Sequence, residues 1–94
     1  MQQTLVRVTF ESYEKWKAVF DESVPLRKAY GSRGVRVYRI IDKPNEVVIL
    51  GEYEDLEKVR QLFQSQELRE ATKRAGVTVP PVVDFLDEED RLPA

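Results

Sequence analysis

The polar chemistry available to this chain is concentrated in two neighbouring strand-like segments, at Glu52, Tyr38 and Arg36. Glu52 follows the apolar run Val47-Val48-Ile49-Leu50 and shares a strand face with Val48 and Leu50. A carboxyl group held out of water there has a raised pKa and serves as a general acid or base. Paired across a hairpin with Arg36 or Arg39, the same group is structural. Arg36 alternates with Val35 and Val37. If both faces of its strand are covered, its guanidinium needs a carboxylate or a ligand anion to offset desolvation. If the strand lies at a sheet edge, Arg36 and Arg39 reach water and discourage edge pairing. Tyr30, Tyr38 and Tyr53 each offer a hydroxyl to a substrate oxygen, or pack with that hydroxyl in water.

A second group is apolar. Trp16 and Phe20 are one helical turn apart, and with Tyr38, Tyr53 and Phe63 they form either the wall of a cavity for a flat, hydrophobic ligand or an ordinary core. Two absences narrow the chemistry further. The 94 residues include no cysteine, so there is no disulfide, thiolate nucleophile or sulfur-bound metal, and no histidine, so the usual metal and haem ligand and the usual neutral-pH base are missing. Neither a metal site nor a cofactor is expected. Glycine-rich phosphate loops and nucleophile elbows are likewise missing. A net charge of -2 argues against nucleic acid and gives no reason to expect an anionic membrane.

Around these groups the pattern alternates between two periods. Thr4, Val6, Val8 and Phe10 share one face of a first strand, with Leu5, Arg7 and Thr9 on the other. Ser12 caps a helix bearing Tyr13, Trp16, Val19 and Phe20. Pro25 breaks it near residues 22–24 and leaves a short second turn to Tyr30, ended by Gly31 and Gly34. A second strand, Val35 to Ile41, joins a third, Glu46 to Glu54, as a hairpin across Asp42-Lys43-Pro44-Asn45. Asp55 caps a helix with Leu56, Val59, Leu62 and Phe63, and Ser65 restarts one with Leu68, Ala71 and Ala75 that Gly76 ends. A last strand, Val82 to Leu86, precedes an acidic tail over 87–94.

The order strand, helix, strand, strand, helix, strand is the ferredoxin-like βαββαβ plan: an α+β fold with a four-stranded antiparallel sheet and helices on one face. It predicts one domain over 1–94. Right-handed crossovers put the first and third strands in the centre. RNA-binding modules share this strand order but need stacking aromatics in the third strand, where this chain has Val47 to Leu50. That unbroken apolar run predicts that both faces of the strand are covered. The chain's own helices cover one face, so the other is expected to meet a second copy of the chain.

The Trp-bearing helix, Val24-Pro25-Leu26-Arg27, Gly34-Val35-Arg36-Val37-Tyr38-Arg39, Lys43-Pro44-Asn45-Glu46-Val47 and Leu68-Arg69-Glu70-Ala71 together resemble small bacterial proteins of the dimeric α/β-barrel superfamily, relatives of antibiotic-biosynthesis monooxygenases and polyketide cyclases. The resemblance spans residues 4–86. It implies two sheets facing each other across a dyad, and a ligand cavity inside each subunit between sheet and helices. Members oxidise polycyclic phenols without a cofactor, cyclise polyketides, isomerise lactones or bind haem. The histidine-dependent activities among these do not suit this chain.

The expected function is therefore a homodimer that binds a hydrophobic or aromatic small molecule. In that reading Trp16, Phe20, Tyr53 and Phe63 line the ligand, and Glu52, Tyr38 and Arg36 are the candidates for chemistry. A cofactor-independent monooxygenase or cyclase acting on a phenolic or polyketide-like substrate is one alternative, and a non-catalytic protein-interaction domain is another. With no leader before the first strand and no apolar run long enough to span a bilayer, the expected location is the cytoplasm.

Overall fold

The computed structural model describes residues 2–94. In chain order the elements are β1 (Gln2–Thr9), α1 (Tyr13–Glu22), α2 (Val24–Ala29), β2 (Ser32–Arg39), β3 (Glu46–Tyr53), α3 (Leu56–Gln64), α4 (Gln66–Arg74) and β4 (Val82–Asp87). The strands form one antiparallel sheet in the order β2-β3-β1-β4, so β1 and β3 are central, as the crossover rule requires. This is the ferredoxin-like α+β fold.

Four short helices stand where the hydrophobic pattern indicates two helical regions, and a serine divides each region. Ser23 Oγ donates to the Val19 carbonyl at 2.8 Å and closes α1, after which Pro25 sits in the first turn of α2, where a missing N–H costs nothing. Ser65 Oγ donates to Leu62 O at 2.7 Å and accepts from Leu68 N at 3.2 Å, so one hydroxyl ends α3 and caps α4. Ser12 and Asp55 cap α1 and α3 in the same manner.

Register fixes two faces. Val6 and Ile49 lie opposite each other, as do Val8 and Val47, and Val37 adjoins Ile49; these residues point toward the helices. Between them the other parity runs in rows: Tyr38, Val48, Arg7 and Val82, then Arg36, Leu50, Leu5 and Asp84. The buried side chains of the helix-facing side form two groups. Val6, Val8, Phe10, Trp16, Val47, Ile49 and Ala75 make the larger, and Tyr53, Val59 and Leu62 the smaller.

The second strand departs from the expected Val35–Ile41. It begins at Ser32 because a bulge between Ser32 and Gly34 carries the ladder past a glycine at φ +144°, a conformation that a side chain would oppose. Gly34 thus belongs to the strand and does not end a helix. At the other end the strand stops at Arg39, short of the expected Ile41, which is 87% exposed in the turn before Asp42 at φ +69°.

Candidate functional site

Between the sheet and the helices lies a cavity of about 670 Å³, a size that suits a small organic molecule. It occupies the space between the two buried groups. Val6, Val8, Ile49 and Trp16 border it from the larger group, and Tyr53 and Leu62 from the smaller. Phe20 and Phe63 complete the aromatic lining, so Trp16, Phe20, Tyr53 and Phe63 come together around one space.

The aromatic wall is a stack. The rings of Phe10 and Trp16 lie 5.4 Å apart at 22°, and those of Trp16 and Phe20 lie 4.8 Å apart at 24°. Trp16 and Phe20 reach this arrangement through their i, i+4 spacing on α1. The Arg27 guanidinium caps the stack, with Cζ 3.9 Å from the Phe20 ring centre. Arg27, on α2 beyond the break at Ser23 and Pro25, reaches back along the chain, and its Nη1 donates to the Phe20 carbonyl at 2.9 Å.

Tyr53 closes the floor and is 5% exposed. Its ring lies over Gly51, where a Cβ would come within 2.9 Å of both Tyr53 Cε2 and Thr4 Oγ1. Glycine at this strand position is thus a packing requirement and keeps the buried Thr4 hydroxyl on the cavity floor. Burial pushes the Tyr53 phenol above its usual pKa, while the Arg27 charge and a hydrogen bond with Ser32 pull it the other way. The bulge in β2 is what sets Ser32 opposite Tyr53. Burial also lowers the Arg27 pKa, opposed by Tyr53 and Asp21. Polar residues of α4, among them Gln66, Arg69, Glu70 and Lys73, form the mouth.

The other expected residues lie elsewhere. Tyr38, Arg36 and Glu52 have the opposite strand parity and sit on the far side of the sheet from the cavity. Tyr38 is 49% exposed and does not join the aromatic wall. β2 is an edge strand, and Arg36 reaches solvent. Glu52 is opposite Gly34, and among the ion pairs of the described residues it has no part. With Arg36 and Leu50 it borders only a shallow depression of about 190 Å³. The aromatic set and the polar set therefore do not make one site.

Arg27 and Thr4 line the cavity, with Gly51 packed under Tyr53 beside them, and none of the three is among the site residues expected from the sequence. The one available signal was local: Arg27 follows Phe20 by seven residues, two helical turns along the same side. Among the described residues, no cluster of three or more histidine, cysteine, aspartate or glutamate side chains is arranged to hold a metal, and no helix is long and apolar enough to cross a membrane.

A four-stranded antiparallel sheet with helices on one face defines the class of ferredoxin-like α+β domains. Within it, this chain belongs to the antibiotic biosynthesis monooxygenase family, whose model matches residues 1–74. Solved structures share the fold along almost the whole chain. A candidate antibiotic biosynthesis monooxygenase from Bordetella bronchiseptica superposes with a TM-score of 0.78 at 19% identity, covering 94% of this chain and 96% of its own. SnoaB from Streptomyces nogalater, a cofactor-independent oxygenase, gives 0.77 at 16% identity, covering 99% and 97%. Rv0793 from Mycobacterium tuberculosis gives 0.71 at 18% identity, covering 96% of each. No curated protein matches the sequence.

Proposed function

We propose that this protein binds a flat, hydrophobic small molecule between its sheet and helices and oxygenates it with dioxygen alone. The observation that carries this reading is the cavity of about 670 Å³ walled by Trp16, Phe20, Tyr53 and Phe63. Membership of a monooxygenase family, and a fold shared with a cofactor-independent oxygenase, support the choice of chemistry.

Such a reaction needs little from the protein beyond binding and solvent exclusion. An electron-rich ring ionised at a phenol or enol gives electrons to dioxygen. One oxygen atom enters a ring methylene as a carbonyl, and the other leaves with the two displaced hydrogens as water. The aromatic stack holds the ring flat, and the dry wall protects the reduced oxygen intermediate. Trp16 is the sole tryptophan and lines the cavity, so it reports occupancy directly. A tricyclic phenol such as dithranol should quench its emission and draw stoichiometric oxygen in an electrode. Quenching without oxygen uptake would leave a binding protein, and absence of both would remove the reading.

A second copy of the chain is proposed to cover the other sheet face. Leu5, Val48, Leu50 and Leu86 are half-buried there and Val82 is 58% exposed, an apolar centre with no helix above it. In the row through Leu50 and Leu5, Arg36 stands at one end and Asp84 at the other. A two-fold axis through the row brings each arginine toward the other copy's aspartate, which makes the face self-complementary. Sedimentation velocity should show a homodimer, and a monomer at micromolar concentration would refute this.

A further inference from the structure

The proposed reaction ionises a phenol or enol of the ligand ring, and the cavity carries information on a further charge. Arg27 lines it, is half-buried, and lies within 4.0 Å of no carboxylate among the ion pairs of the described residues. Its one hydrogen bond runs from Nη1 to the Phe20 carbonyl, and a guanidinium has five donors. The other basic residues at the cavity, Arg69 and Lys73, are exposed on α4 and reach water at the mouth.

A partly desolvated cation whose neighbouring carboxylate, Asp21, is already paired with Lys17 at 2.6 Å costs free energy, and stacking on Phe20 offsets only part of it. A ligand anion would offset the rest. The anion would arrive with a flat body, because the guanidinium ends the stack of Phe10, Trp16 and Phe20. Tyr53 lines the same cavity, and its phenol is a further hydrogen-bond donor there.

We infer that the ligand is a flat aromatic molecule bearing a carboxylate, and that Arg27 receives its charged oxygens. This rests on the small-molecule reading above. It also assigns Arg27 as the residue that selects charged over neutral rings. A planar fork that donates two parallel hydrogen bonds suits a carboxylate better than the point charge of a lysine does.

The test compares two probes of nearly equal shape, 2-naphthoate and 2-naphthamide, by isothermal titration calorimetry with Trp16 emission as the occupancy signal. The wild-type protein should bind the carboxylate about tenfold more tightly than the amide. Arg27→Gln should bring the two affinities together, mainly by weakening the carboxylate, and Arg27→Lys should restore part of the preference. If the wild type binds both probes equally, or if Arg27→Gln weakens both alike, the inference fails while the cavity remains a small-molecule site. If neither probe binds or perturbs Trp16, both readings fall. An unchanged circular dichroism spectrum and melting temperature in Arg27→Gln, together with a lost preference, would show a folded variant deficient only in anion selection.

Discussion

The two faces of this sheet both carry apolar residues and have very different surroundings. On β3, Val47 is fully buried and Ile49 is 8% exposed beneath the helices, while Val48 and Leu50 between them are only half-buried. The inner face is closed by side chains of the same chain except where the cavity interrupts it. The outer face presents leucine and valine with no covering layer. Hydrophobic residues are thus used in two ways: one face drives folding, and the other stays available for association.

Substitutions at adjacent residues separate these uses most strongly. Ile49→Asp puts a charge among Val6, Val37 and Trp16 and should cost about 4 kcal/mol or more, enough to abolish the cooperative thermal transition. Val48→Asp should leave the circular dichroism spectrum intact and shift sedimentation toward a monomer. Equal loss of fold in both variants would erase the distinction between the faces, as would unchanged association in Val48→Asp.

Leu62→Ala comes next. Leu62 is 2% exposed and borders the cavity, so truncation should cost about 2–4 kcal/mol, read as a lower denaturant midpoint, and should enlarge the ligand space. Gly51→Ala should destabilise by about 1–3 kcal/mol, since its Cβ would meet Thr4 and Tyr53 at 2.9 Å. The same variant should weaken ligand binding by displacing the Tyr53 ring. Unchanged stability would mean that the floor is not packed as described.

A smaller effect concerns pH. The folded pKa of Tyr53 lies above its unfolded value, so the folded state holds its proton more tightly. That contribution is complete below the ordinary phenol value of 10.0 and is lost as pH rises from there through the folded pKa. Chemical denaturation between pH 9 and 11 should show stability falling more steeply in the wild type than in Tyr53→Phe, and parallel slopes would contradict the burial argument. Glu52→Gln should change least, within about 0.5 kcal/mol for the isolated fold, with turnover and Trp16 quenching unaltered. A large loss of turnover would move the chemistry to the outer face.

Much of the fold is legible along the chain, because period-two and period-3.6 patterns each constrain an element locally. Ser12, Asp55 and Ser65 mark helix starts as their cap hydrogen bonds later bear out. The edges of β2 are less legible. A bulge at Ser32 and Gly34 extends the strand backward, and bulges depend on the partner strand as much as on the residues themselves.

The site divides along the same line. Residue types and spacing identify Trp16 and Phe20 as a pair, Tyr53 and Phe63 as aromatic companions, and Val47 to Leu50 as a strand with apolar residues on both sides. These are properties of neighbours along one element, and side-chain period alone determines them. Whether the aromatic residues fill a core or surround a space is a question of volume between layers, and volume depends on how far the helices stand from the sheet. The same packing brings Arg27 back over Phe20, sets Tyr53 over Gly51 beside Thr4, and leaves Glu52, Tyr38 and Arg36 on the far face. The distance between helices and sheet, and the sheet face that the helices cover, join elements distant in the chain, so no local pattern encodes them, and only the assembled layers of sheet and helix decide them.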